Sequence, residues 1–131
     1  DGLGIKLLQK AGIHVAIITG RQSDIVLRRA GELGIEDVIQ GREDKYQALL
    51  ELCERHNLRL EQCAYMGDDL PDLAAILAAG LGMTVANASA AVLDAADWRS
   101  GHNGGCGAVR EACEFILSVR GEWPALLSDF R

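Results

Sequence analysis

Three short apolar runs constrain this chain most: HVAIITG at 14–20, CAYMG at 63–67 and LGMTVAN at 81–87. Each is too short for a buried helix, and the first is rich in β-branched residues, as suits a strand covered on both faces. Between them lie segments with helical spacing. GIKLLQKAG (4–12) has Ile5, Leu7, Leu8 and Ala11 on one face, with Asp1 as N-cap and Gly12 as C-cap. SDIVLRRAGELG (23–34) starts at Ser23 and stops at Gly34. EDKYQALLELCERHN (43–57) is amphipathic, with Tyr46, Leu49, Leu50 and Cys53 on its apolar face. PDLAAILAAG (71–80) opens on Pro71, SAAVLDAA (89–96) is short, and AVREACEFILSVR (108–120) is long. DVIQG (37–41) and DWRS (97–100) complete the set of short strands, and GHNGGCG (101–107) reads as a flexible loop.

Strand and helix therefore alternate along the chain. That order predicts an α/β fold, a Rossmann-like three-layer parallel sheet with helices on both faces. The 131 residues are read as one domain, large enough to bury about two thirds of the unfolded surface. The formal charge of −6 argues against non-specific nucleic-acid binding, which needs a positive field. No apolar run approaches the length of a membrane span, and the four cysteines contain no CxxC pair. They are read as reduced thiols of a cytoplasmic protein. The tail from 121 to 131 has no assigned place: it can dock on its own subunit, reach a neighbour or stay mobile.

In open parallel sheets ligands bind beyond the carboxyl ends of the strands. Three segments emerge there. Thr19, Gly20 and Arg21 follow the strand at 14–18. Lys45 opens the helix after the strand at 37–40, and Gly67, Asp68 and Asp69 follow the strand at 63–66. A hydroxyl, an ammonium, a guanidinium and clustered carboxylates would converge at one edge. Carboxylates are hard oxygen ligands suited to Mg²⁺, which takes one or two of them with waters and a phosphate. Thr19 and Gly20 can donate to one phosphate oxygen, Lys45 can neutralise another, and Asp72 can hold Lys45 in place. This is the equipment of phosphoryl transfer. The order Thr, Lys, acidic cluster argues against a signalling receiver domain, and ITGRQSD lacks the pattern of a nucleotide P-loop.

IITGR, the lone Lys45 in GREDKYQAL, and YMGDDLPD resemble motifs two, three and four of the haloacid dehalogenase superfamily of phosphatases. DGLGIKLLQKAGIHVAIITGR and GGCGAVREACEFIL are similar to its small capless subgroup, the 3-deoxy-D-manno-octulosonate (KDO) 8-phosphate phosphatases. The resemblance implies a Mg²⁺-dependent sugar phosphatase of lipopolysaccharide precursor synthesis. In it Thr19 binds the phosphoryl group, Lys45 stabilises its charge and Asp72 anchors Lys45. Asp68 ligates the metal, with Asp69 as a second ligand or its orienter. Gly20 and Arg21 approach the substrate, a small phosphorylated acidic sugar, and Gly104, Gly105 and Arg110 shape its pocket. It further implies a homotetramer whose neighbouring subunits supply the missing cap, with no nucleic-acid or membrane partner. A nonulosonate 9-phosphate phosphatase, or a non-catalytic module beside a sugar nucleotidyltransferase, are the alternatives.

Two features depart from the family pattern. Cys106 stands where relatives often carry a basic or polar residue. The family's first motif, DxD on a central strand, has no counterpart within 1–131, so the chain is read as a single domain truncated at its N-terminus. The resemblance places that motif's nucleophile and general acid/base upstream, between the strands at 14–18 and 63–66.

Overall fold

A computed structural model describes residues 2–131. The expected N-cap Asp1 lies outside them. Helix α1 (Gly2–Lys10) is followed by β1 (Ala16–Ile18), α2 (Asp24–Glu32), β2 (Asp37–Ile39) and α3 (Lys45–His56). Next come β3 (Ala64–Met66), α4 (Leu73–Ala78), β4 (Leu81–Thr84), α5 (Ala90–Ala95) and β5 (Trp98–Arg99). Helices α6 (Ala108–Val119) and α7 (Trp123–Ser128) end the chain.

Local chemistry explains the boundaries. Ser23 caps α2 by accepting from the Val26 N–H at 3.3 Å. Gly12 has φ +84°, a left-handed conformation that costs glycine little. It lets the Gly12 and Ile13 N–H groups bond back to the Gln9 and Leu8 carbonyls and close α1. Asn57, with φ 53°, does the same for α3. The helix expected from Pro71 is different in detail. Residues Leu70–Asp72 form a 3₁₀ turn and the α-helix starts one residue later. Asp69 caps that turn by accepting from the Leu70 N–H at 2.8 Å.

All strand pairs are parallel, as the alternation required. They form two sheets, β1–β2 and β3–β4–β5, where the sequence suggested one. The register sets Ile17 beside Val38 and Tyr65 beside Gly82. Among the described residues no strand pairs β1 with β3. The first strand is consequently half-buried, with Ala16 exposed, and is not the fully covered strand its apolar run suggested. Helix α3 packs on β1 and on α4, bridging the sheets. Its buried face is Ala48, Leu49, Leu52 and Cys53, while Tyr46 and Leu50 are only half-buried. The expected face is thus rotated, because small Ala48 fits flush against its neighbours where larger residues were counted.

The main core joins Leu49, Cys53, Tyr65, Ala75, Ile76, Ala79 and Val92. A second cluster joins Leu7, Leu8, Cys113 and Leu117 with Leu126 of α7. The tail therefore docks on its own chain, and Lys10 pairs with Asp129 at 2.8 Å.

Candidate active site

Hydrogen bonds lace the carboxyl ends of the strands together within each sheet, and the Lys45–Asp72 pair links the segment after β2 to the segment after β3. After β1, the Thr19 N–H donates to the Ile39 carbonyl at 2.9 Å, and the Thr19 carbonyl accepts from Arg42 N–H at 3.2 Å. The Thr19 hydroxyl oxygen accepts from the Arg21 N–H at 3.2 Å. Its own proton thus remains for an outside acceptor. Gly20 lies beneath the Glu43 carboxylate, so close that a Cβ on Gly20 would overlap Glu43 Oε1. Arg21 is exposed at the rim.

After β2, Arg42 forms forked bonds to Asp44 (3.0 and 2.7 Å) and to Glu51 (both 2.7 Å). This brace ties the residue before α3 to its second turn and fixes where Lys45 starts. Lys45 Nζ lies 3.1 Å from Asp72 Oδ1, and its side chain is only 16% exposed.

Asp72 is the hub of the site, 3% exposed. Its Oδ1 accepts from Lys45 and from the Tyr65 hydroxyl at 2.6 Å. Its Oδ2 accepts from the Asp68 and Asp69 N–H groups at 3.0 and 3.3 Å. Burial by itself would raise the Asp72 pKa. The bonds from Tyr65, Lys45 and the Asp68 N–H outweigh it and hold the carboxyl below its ordinary range. Burial, and then the bond to Asp72, push the Tyr65 phenol above its usual range, so it stays a proton donor. The carboxylate rests directly on Gly67, where any Cβ would overlap it. Gly67 is needed there for close approach.

Asp68 and Asp69 are exposed beyond β3. The Asp68 carbonyl accepts from Ser89 N–H at 3.0 Å, and buried Thr84 donates its hydroxyl to the Gly67 carbonyl at 2.7 Å. The 101–107 loop closes the row. Gly104 N–H donates to Asn87 Oδ1 at 2.9 Å, and Ala86 N–H donates to the His102 carbonyl at 2.9 Å. Gly105 turns with φ +79°. Arg110 sits in the first turn of α6, ion-paired to Glu114 at 3.1 Å, along an open groove that also holds Trp98, Phe115 and Trp123. Lys45, Asp72, Asp68 and Asp69 thus form one connected group, Thr19 and Gly20 touch Arg42 and Glu43 of the segment that leads into Lys45, and Arg110 stands on a different surface feature.

The donor set suits a hard cation only in part. Asp68 and Asp69 offer exposed carboxylates, but one Asp69 oxygen caps the 3₁₀ turn and Asp72 is committed to its four donors. Among the described residues no group of three His, Cys, Asp or Glu side chains is arranged to hold a metal. Two carboxylates are nevertheless what Mg²⁺ commonly takes from a protein.

Sequence reasoning missed Tyr65 and Arg42. Tyr65 carries the only hydroxyl in its apolar strand, a weak signal. Arg42 among nearby acids carries none.

Residues 29–112 match the model of the haloacid dehalogenase-like hydrolases. The chain belongs to the haloacid dehalogenase-like hydrolase family. Among curated members of this family, 3-deoxy-D-manno-octulosonate 8-phosphate phosphatase of Haemophilus influenzae is 42% identical over 122 residues, covering 93% of this chain and 68% of that protein. The corresponding Yersinia pestis phosphatase is 44% identical, covering 89% and 63%. This chain thus spans roughly two thirds of these haloacid dehalogenase-like relatives. The crystal structure of the Moraxella catarrhalis phosphatase, bound to magnesium, phosphate and KDO, superposes with a TM-score of 0.98 at 46% identity. That match covers 99% of this chain and 75% of the other.

Proposed function

We propose that the protein is a Mg²⁺-dependent phosphatase that hydrolyses 3-deoxy-D-manno-octulosonate 8-phosphate to KDO and phosphate. The observation that carries this reading is the buried Lys45–Asp72 pair at the strand ends beside Asp68, within a chain matching such a phosphatase at a TM-score of 0.98. We extend this reading to a role in lipopolysaccharide precursor synthesis in the cytoplasm. It extends further to a homotetramer in which neighbouring subunits cover the open sites. Among the described residues no helix is long and apolar enough to cross a membrane.

In this reading Thr19 turns its free hydroxyl proton toward a phosphoryl oxygen, and the Gly20 N–H donates beside it. Lys45 meets a second oxygen with its ammonium. Asp72 stays ionised and keeps that ammonium aimed at one place, which is the pre-organisation phosphoryl transfer requires. Asp68 and Asp69 would hold Mg²⁺, which when bound neutralises charge on the phosphoryl oxygens. Arg21 would meet the substrate's acidic groups, with Gly104, Gly105 and Arg110 shaping the pocket's outer side. The nucleophilic carboxylate and its acid/base partner would lie on a strand seated between β1 and β3, which no strand joins among the described residues.

The test is phosphate release by the full-length protein with magnesium, offered KDO 8-phosphate and a nonulosonate 9-phosphate in parallel. Preferential release from the eight-carbon substrate is expected. Preference for the nine-carbon sugar would replace the substrate, and release from neither would end the phosphatase reading.

A further inference from the structure

The Asp72 carboxylate needs more than Lys45 to hold its orientation. Its Oδ2 is fixed by two backbone N–H groups of the chain that turns beneath it. Its Oδ1 faces Lys45, which ends a flexible four-carbon stem, and the Tyr65 hydroxyl, which ends a rigid ring. Tyr65 is 8% exposed, rooted in β3 and packed in the main core with Leu49 and Ile76. Its ring therefore has little freedom to move, and at 2.6 Å its bond to Oδ1 is shorter than the 3.1 Å ion pair. A hydroxyl from the core thus reaches Asp72 Oδ1, the carboxylate oxygen whose other donor is the lysine of the site.

We propose that Tyr65 is a positioning residue for phosphoryl transfer: its buried hydroxyl fixes Asp72 Oδ1, and through it the place of the Lys45 ammonium. The inference rests on the phosphatase reading for its consequence, but the contact itself does not. Tyr65→Phe keeps the ring and removes only the donor, so the core stays filled. Oδ1 is then shared by Lys45 alone. The lysine is drawn toward the carboxylate and away from the position where it meets the phosphoryl group. The loss should fall on the transition state, where charge on the transferring oxygens needs Lys45 most.

The experiment uses the full-length protein with magnesium and KDO 8-phosphate. For Tyr65→Phe, kcat is expected to drop about tenfold, the effect of one lost charge-directed hydrogen bond, with KM changed less than about twofold. A merely structural role would lower thermal stability and leave kcat of the folded enzyme in place. Lys45→Met, assayed beside it, judges the site itself. If Lys45→Met abolishes turnover and Tyr65→Phe matches wild type, the Tyr65 proposal fails while the phosphatase reading stands. If the wild-type protein or Lys45→Met contradicts that reading, the crystal structure of Tyr65→Phe decides. A displaced Lys45 ammonium upholds the positioning contact, and an unmoved one overturns it.

Discussion

Gly67→Ala is the sharpest probe of how the site is built. The added Cβ would overlap Asp72 Cβ and Cγ and lie 2.6 Å from Oδ2. The carboxylate cannot swing aside freely, because Tyr65, Lys45 and the Asp68 and Asp69 N–H groups all hold it. Relief requires giving up the two backbone bonds to Oδ2, at about 1 kcal/mol each. Overpacking a rigid site adds about 1–2 kcal/mol. A destabilisation of about 3–4 kcal/mol follows, or a Tm lowered by about 10 °C in a domain of this size. Gly20→Ala is the comparison. Its Cβ would also overlap a carboxylate, but that of exposed Glu43, a flexible side chain that can rotate into water. Its stability should stay within about 0.5 kcal/mol of wild type. Urea denaturation of both variants at neutral pH measures the difference. If Gly67→Ala loses less than about 1 kcal/mol, or matches Gly20→Ala, the picture of a pinned carboxylate is wrong.

Two further outcomes follow from the ionisable groups. Asp72 is held below its ordinary pKa in the folded state, so unfolding takes up a proton at low pH. Its stabilisation is complete above the unfolded carboxyl value of about 3.9 and is lost as pH falls from there through the folded value. Asp72→Asn should therefore show a shallower loss of stability in urea titrations between neutral pH and about pH 3, although Asp37 retains part of the slope. Equal acid slopes would remove Asp72 from that role. Burial, and then the Cys53 thiol 3.5 Å away, push the Cys63 pKa up to about 11, and burial also raises that of Cys113. Exposed Cys106 should thus be the fast-reacting thiol toward a disulfide reagent at pH 8, and Cys106→Ser should remove the fast phase.

The residues differ in how much they disclose by themselves. Lys45 and Asp72 were legible because each sits at a fixed distance past a strand, and parallel strands deliver such positions to one edge. The 3.1 Å pair is where that geometry leads. Ser23 and Gly12 were legible as caps because their chemistry is local. Tyr65 was not, because an aromatic in an apolar strand reads equally as filling for the core, and only the fold reveals what its hydroxyl meets. The brace of Arg42 depends on two side chains 2 and 9 residues away around a turn, which spacing alone does not single out. The face of α3 was misjudged by weighing residue size over fit: Ala48 is fully buried and Tyr46 is not. The division into two sheets follows from β1 and β3 each having a single neighbour among the described residues, a matter of partners that a strand's own composition does not encode.

A crystal structure of the full-length protein with magnesium and vanadate tests the central claim most directly. The account predicts vanadate between the Thr19 hydroxyl and the Lys45 ammonium, with the metal on Asp68 and Asp72 still bonded to Lys45. Vanadate bound elsewhere, or Thr19, Lys45 and Asp68 facing separate surfaces, would contradict it.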